Sequence, residues 1–337
     1  MNIAIPDSER IHGQSINGTD TATQTVFNAK PLSFRADFDR KSFLFDHNLA
    51  DSPLFTLPRL ADLAETLLKT GGSKSVRWQD GKAPVEAGWD VPLHKEVEHV
   101  HKAIANLQDS GSWVLLYSIQ RDPEYKDLLD RIMSEVVELT GMSRADVSWL
   151  DAYLFMASPG SLTPYHIDHE TTFLFQIHGD RTANLWDGSD RSILPVTEIE
   201  NYYMGDMGAA IYKPENQRKA MTYDLRHGKG VHQPSLAPHW FKCGEDYSIA
   251  LGVHFCLRKH DAEAKTHQVN RLLRGLGLAP APLGVFPARD RIKSGLLALL
   301  SKRHPKTKFE LLRSGVLRLT LPARLVRKVA KKLGGGA

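Results

Sequence analysis

The stretch 163–186, TPYHIDHETTFLFQIHGDRTANLW, constrains this chain more than any other. His166 and Asp168 stand two positions apart within it. In an extended strand successive side chains alternate between faces, so residues two apart project together. An imidazole and a carboxylate would therefore leave one surface side by side. Phe173, Phe175 and Ile177 alternate with Thr172, Leu174 and Gln176, which carries the strand pattern past the pair. Gly179-Asp180 marks a turn, and Arg181 to Trp186 reads as a return strand. One more histidine would complete two imidazoles and one carboxylate, a face that holds iron(II) and leaves positions open for substrate and oxygen.

The same residues resemble a known family. Thr163-Pro164-x-His166-x-Asp168, the aromatic run with Phe173 and Phe175, and Gly179-x-Arg181 before the next strand are similar to the JmjC and cupin-like iron(II), 2-oxoglutarate-dependent oxygenases. The resemblance spans roughly residues 145–257. It implies a double-stranded β-helix, a cupin-like jelly roll with the metal inside one end. It also implies Fe(II), the cosubstrate 2-oxoglutarate and O2. His166, Asp168 and a distal histidine, His239, would be the catalytic metal ligands, and Thr163 and Arg181 would contact 2-oxoglutarate. A guanidinium suits that role because it grips a carboxylate at two points and keeps its charge. Thr172 stands where relatives carry a polar residue near the site, and His254 where relatives commonly carry Asn.

Composition is that of a globular protein, 42% hydrophobic and 24% charged over 337 residues. No basic segment followed by an apolar run opens the chain, and no apolar run is long enough to span a bilayer. Two cysteines, Cys243 and Cys256, suit a reducing compartment without disulfides, so the cytoplasm is expected. The net charge of +4 is uneven: residues 285–337 hold 14 Lys and Arg against 2 acidic residues, a net of +12, leaving −8 on the rest. A basic segment attracts polyanions without specifying one, and a solvated helical face or a homodimer contact through the C-terminal helices is the plainer expectation; nucleic acid is not expected as partner, nor is a membrane.

In chain order, residues 1 to about 30 are polar and aperiodic. Thr56–Lys69, His94–Leu107 and a segment opened by Asp122-Pro123 and closed by Gly141 read as helices. Ser75–Gln79, Trp113–Ser118 and Val147–Ala157 read as strands. Thr197 with Glu200 forms a capping-box pattern for a short helix through Tyr203. Ala209–Lys213 and Met221–Leu225 read as strands, and His239–Lys242 with Tyr247–Phe255 as a hairpin closed around Gly244-Glu245. Helices follow at Asp261–Arg274, Arg291–Ser301, Lys308–Arg313 and Ala323–Leu333. The fold class is therefore α+β. Residues 1–144 are expected to pack on a catalytic core at 145–257, and 258–337 form a basic helical region whose Leu296, Leu297, Leu299 and Leu300 need a partner surface.

Both His232 and His239 satisfy a search for the distal ligand. With a two-residue turn at Gly244-Glu245, His239 faces Ala250, on the same side as Gly252 and His254, while Ile249, Leu251, Val253 and Phe255 point to the core. Ser248, Ala250 and Gly252 are small, as expected of a wall that leaves room for a ligand. His232 falls in the preceding loop. His254 has an equally plain reading as a satisfied histidine at the barrel end. The expected activity is iron(II)- and 2-oxoglutarate-dependent hydroxylation of a protein side chain or small molecule of unknown identity. Two alternatives remain open: a cupin-type metalloenzyme without 2-oxoglutarate, which has no need of Arg181, and a catalytically silent regulatory or binding protein.

Overall fold

A computed structural model describes residues 25–29, 31–88 and 92–334, with side chains described up to residue 322. The polar stretch expected to be irregular lies almost wholly outside these residues. Among the described residues twelve strands form two antiparallel sheets. They are β1 (Phe27–Asn28), β2 (Phe43–His47), β3 (Val76–Asp80), β4 (Ser112–Leu116), β5 (Val147–Ala157), β6 (Leu162–His166), β7 (Thr171–His178), β8 (Arg181–Leu185), β9 (Met221–Leu225), β10 (Lys229–Gln233), β11 (His239–Cys243) and β12 (Ser248–Leu257). The larger sheet runs β1-β2-β10-β7-β12-β5-β4-β3, and the smaller β6-β11-β8-β9. Eight helices accompany them: α1 (Pro31–Asp37), α2 (Leu57–Gly71), α3 (Val100–Ala105), α4 (Pro123–Thr140), α5 (Val196–Met204), α6 (Arg258–Gly275), α7 (Pro287–Leu300) and α8 (Lys308–Gly334). No helix among the described residues is long and apolar enough to cross a membrane.

Strand alternation explains the layering. Phe173, Phe175 and Ile177 of β7 and Ile249, Leu251, Val253 and Phe255 of β12 turn one way, onto a core shared with Leu60, Leu63 and Leu67 of α2 and Leu128, Leu129 and Ile132 of α4. Leu174 and Ala250 turn the other way and meet Ala183, Leu185, Leu225 and Phe241 of the small sheet. The outer face of the small sheet is covered by Tyr165, Ile167 and Trp186 packing with Ile199, Tyr202 and Tyr203 of α5 and Ala264 of α6. The layers run helix, sheet, sheet, helix. Phe173 lies in the densest part, fully buried, with Phe27 and Phe45 each 5.6 Å away between ring centres. Truncating such a ring to alanine costs about 3–5 kcal/mol.

Several expectations change. β11 and β12 are consecutive but do not pair: β11 lies between β6 and β8, and β12 between β5 and β7. The hairpin expected around Gly244-Glu245 is instead a crossing from one sheet to the other. Gly179-Asp180 is a second crossing, so β8 does not return along β7. Gly179 has φ +68, and a Cβ there would lie 2.1 Å from the Tyr247 carbonyl oxygen, so glycine is required. Ala209–Lys213 forms no strand, and His94–Leu107 contains only the short α3 after a 3-10 turn. The capping box at Thr197 is absent, because α5 starts one residue earlier after Pro195 and Glu200 is drawn inside to pair with Arg274. His232 lies in β10 rather than a loop. Lys308–Arg313 and Ala323–Leu333 belong to one helix, α8, which contains Pro322 and forgoes one backbone hydrogen bond there. Of the leucines expected to need cover, Leu297 is buried, while Leu296, Leu299 and Leu300 face outward.

One ion cluster ties three separate elements together. Asp39, in the turn after α1, has φ 56 and a buried carboxylate. It accepts from Thr171 at the start of β7 at 2.7 Å and bonds His260 of α6 at 2.8 Å, with Lys259 beside it. Burial works against the His260 charge, but its bonds to Asp39 and Glu263 outweigh it and lift its pKa to about 9. Burial likewise opposes the Asp39 charge, and His260 and Lys259 outweigh it and hold the carboxyl far below its ordinary range. A raised histidine gives stability that is complete below its unfolded value and lost as pH climbs through the folded value. A depressed carboxyl gives stability that is lost only in acid. Unfolding in urea at about pH 6 and about pH 9.5 should therefore show a loss on the order of 1–3 kcal/mol. The His260→Gln variant should lose most of that dependence; an unchanged slope would remove the cluster from the account.

Candidate metal centre

The site forms where β6 and β11 pair. Their register sets His166 opposite His239 and Thr163 opposite Phe241, so two steps along β11 match three along β6. This bulge reverses the alternation on β6 and brings Thr163 and His166 to the same cavity despite their odd spacing. β6 ends at His166, and Asp168 lies just beyond it in the loop, its carbonyl accepting from the Leu236 N–H at 2.7 Å. The rigid-strand reading of the His-x-Asp pair thus holds for the histidine alone; the carboxylate is fixed by the loop.

His166, Asp168 and His239 offer ligand atoms all within 4.8 Å of one another. Asp168 Oδ2 stands 3.6 Å from His166 Nε2 and 3.8 Å from His239 Nε2. Each ring is oriented by its other nitrogen: His166 Nδ1–H donates to the Pro164 carbonyl at 2.7 Å, and His239 Nδ1–H to the Ala237 carbonyl at 2.9 Å. Such bonds fix the tautomer and aim Nε2 at a metal. Burial, with His166 alongside, pushes the His239 pKa down to about 3, leaving the neutral ring that a metal needs. Burial would raise the Asp168 pKa, but the hydrogen bond with His166 and the nearby charges outweigh it, and the carboxylate stays ionised. Two imidazoles and one carboxylate on one face are a donor set that fits iron(II).

A narrow cavity continues inward from this face, lined by Phe155, Thr163, Leu174, Arg181, Gln233, Phe241 and His254. Arg181 opens β8 opposite Cys243 of β11, and only 3% of it is exposed. It donates to Ser248 Oγ at 3.1 Å, its Nε has no hydrogen-bond partner, and among the described residues no carboxylate lies within salt-bridge distance. A buried guanidinium without a counter-ion is costly and calls for an anion. Thr163 accepts from Trp113 Nε1 at 3.0 Å. Thr172 and His254 face each other across β7 and β12 and share a hydrogen bond of 2.9 Å through His254 Nδ1. His254 Nε2 is buried without a partner, and burial lowers its pKa to about 4.

His232 stands apart. It points to the opposite face of the large sheet, its ring 4.6 Å from Phe173 and 4.8 Å from Phe43. Its Nε2 accepts from the Asp39 N–H and its Nδ1–H donates to the Thr172 carbonyl. A second group, His169, Cys256 and Asp261, also has metal-like spacing. There, however, both His169 nitrogens are already bonded, to Tyr203 Oη and to Asp261, each at 2.9 Å. It is a strut that holds the Asp168 loop against α5 and α6.

Sequence reasoning missed Trp113, Gln233, Tyr117, Tyr153, Glu170 and Lys308. The β5 alternation of Asp151, Tyr153 and Phe155 was available as a signal for Tyr153. Glu170 lies two residues past Asp168. Lys308, at the start of α8, has no local signal. Its ammonium bonds Glu170 in a second cavity that shares Phe155, His166, Asp168 and His254 with the first.

No family model matches the chain, and no curated protein matches it. Among solved structures the chain is similar to E. coli YcfD, at 14% identity over 87% of this chain and 68% of that one, with a TM-score of 0.48. It is also similar to YcfD described as a ribosomal oxygenase in complex with cobalt and 2-oxoglutarate, at 14% identity over 88% and 68%, with a TM-score of 0.46. A third, the DMSP lyase DddQ from Ruegeria pomeroyi DSS-3, is 17% identical over 33% and 39%, with a TM-score of 0.21. At these scores the residues of the site carry the functional reading by themselves.

The geometry separates the two candidate histidines by experiment. In anaerobic dialysis against iron(II), His239→Ala should bind little metal, whereas His232→Ala should bind as much as the native chain. Metal retained in the first and lost in the second would overturn this assignment.

Proposed function

We propose that the chain is an iron(II)- and 2-oxoglutarate-dependent oxygenase, with its two sheets forming the walls of a jelly-roll barrel. The observation that carries this reading is Arg181, a buried guanidinium with no acidic partner among the described residues, in a cavity that opens onto His166, Asp168 and His239. A cupin-type enzyme without 2-oxoglutarate leaves that charge unexplained, and a silent binding module leaves the convergent donor set unexplained.

His166, Asp168 and His239 would hold the metal. When bound, iron and 2-oxoglutarate would supply the oxidising chemistry: O2 is consumed, 2-oxoglutarate loses CO2 and keeps one oxygen atom as succinate, and the other oxygen atom passes to a substrate. The chain's own residues set the stage. Arg181 would pair with the far carboxylate of 2-oxoglutarate, held in place by its bond to Ser248, with Thr163 alongside. Thr172 fixes His254, whose unpartnered Nε2 would meet the cosubstrate or the metal-bound end of the site. Phe155, Leu174 and Phe241 keep water from the cavity, which strengthens each charged contact inside it. The outward Leu296 and Leu299 support pairing of two copies through the C-terminal helices.

With iron(II), ascorbate and oxygen the protein should convert 2-oxoglutarate to succinate. Arg181→Ala should weaken 2-oxoglutarate binding by about 2–5 kcal/mol, at least roughly thirtyfold, since it removes one partner of a buried charge pair. Native protein that neither binds 2-oxoglutarate nor forms succinate would end the oxygenase reading.

A further inference from the structure

The outer cavity carries a recognition element of its own. Its walls are aromatic and apolar: Leu115, Tyr117, Tyr153, Ile167 and Met207. Set into them is one opposed charge pair, Glu170 and Lys308. Glu170 is 2% exposed; one carboxylate oxygen takes the lysine, and the other, Oε2, is buried without a partner. Lys308 has three donors, and Glu170 is its one hydrogen-bond acceptor among the described residues. Burial opposes the lysine's charge, yet Glu170 outweighs it and keeps the ammonium pKa well above its ordinary value. The two form a salt bridge, with an open acceptor on Glu170 and further donors on Lys308.

Glu170 is buried while the Lys308 side chain is 28% exposed, and such a partly buried ion pair adds little stability over an apolar pair of similar volume, so its presence here points to a use. A purely anionic group would meet Glu170 and be repelled; a purely cationic one would meet Lys308. A group with adjacent positive and negative ends satisfies both charges. The enclosed space, about 90 Å³, suits a small molecule rather than a folded partner.

We infer that the Lys308–Glu170 pair binds the zwitterionic head of a free α-amino acid, its carboxylate to Lys308 and its ammonium to Glu170, with its side chain against the aromatic wall beside His166 and Asp168. This names a substrate class for the proposed oxygenase and rests on that reading. Lys308 is here a specificity residue, delivered to the site by the C-terminal segment.

The test is calorimetric titration of the full chain with each proteinogenic L-amino acid and with its N-acetylated, C-amidated form. It is run anaerobically on protein loaded with iron(II) and 2-oxoglutarate, and again on metal-free protein. At least one free amino acid should bind, with its capped form about tenfold weaker or worse. Lys308→Met should weaken that amino acid about tenfold while iron content and 2-oxoglutarate affinity stay unchanged. The paired variant Lys308→Met with Glu170→Gln, which leaves no buried charge alone, should lose the preference for the free form and decides the matter if the single variant misfolds. Equal binding of free and capped forms, no binding by any amino acid, or full affinity in the paired variant overturns the inference. Failure of iron or 2-oxoglutarate to bind is read separately in the same titrations and bears on the oxygenase reading instead.

Discussion

The pairing of β6 with β11 sets His166 opposite His239, and the rest of the site is arranged around that one register. A slip of one residue would turn both imidazoles to the outer face, into the cluster of Tyr165 and Trp186. Three neighbours hold the register. The bulge between His239 and Phe241 occupies one place only, β8 pins the other edge of β11 over five successive residues, and the Pro164 and Ala237 carbonyls capture the ring nitrogens that must not face the metal. The face is thus preorganised by backbone groups, and Asp168 alone is carried on a loop beyond the strand end.

That loop is anchored from behind. His169, its next residue, is locked by Tyr203 and Asp261, and the Asp168 carbonyl by Leu236. Beyond these, Thr171 joins the Asp39 and His260 cluster. Within a few residues the chain therefore supplies a metal-facing carboxylate, a structural histidine, the acid of the outer cavity and a clamp to the N-terminal turn. Changes at the histidine or the clamp act on the site through position rather than chemistry.

Local signals in the sequence were legible where spacing alone decides the outcome. His166 and Asp168, the alternation of β7 and β12, and the Asp122 and Gly141 caps of α4 follow from short-range rules. His239 does come together with His166 and Asp168, but not by the route expected: its inward face was argued from a hairpin with β12, and it comes from pairing with β6 and β8. Strands adjacent in sequence are usually neighbours in a sheet, and a barrel of two sheets breaks that habit at each crossing. The clamp at Asp39 and the arrival of Lys308 beside Glu170 join positions 221 and 138 residues apart, and nothing in either local sequence announces the other.

Lys308 opens α8, and two complete helices, α6 and α7, lie between it and the last strand of the barrel. During synthesis the residues that face the metal therefore leave the ribosome well before the lysine that completes the neighbouring cavity. A nascent chain can assemble its metal-binding wall while Glu170 still lacks its counter-charge. Docking of the Lys308 ammonium onto the Glu170 carboxylate then joins the C-terminal helices to the chamber that the proposed oxygenase would use.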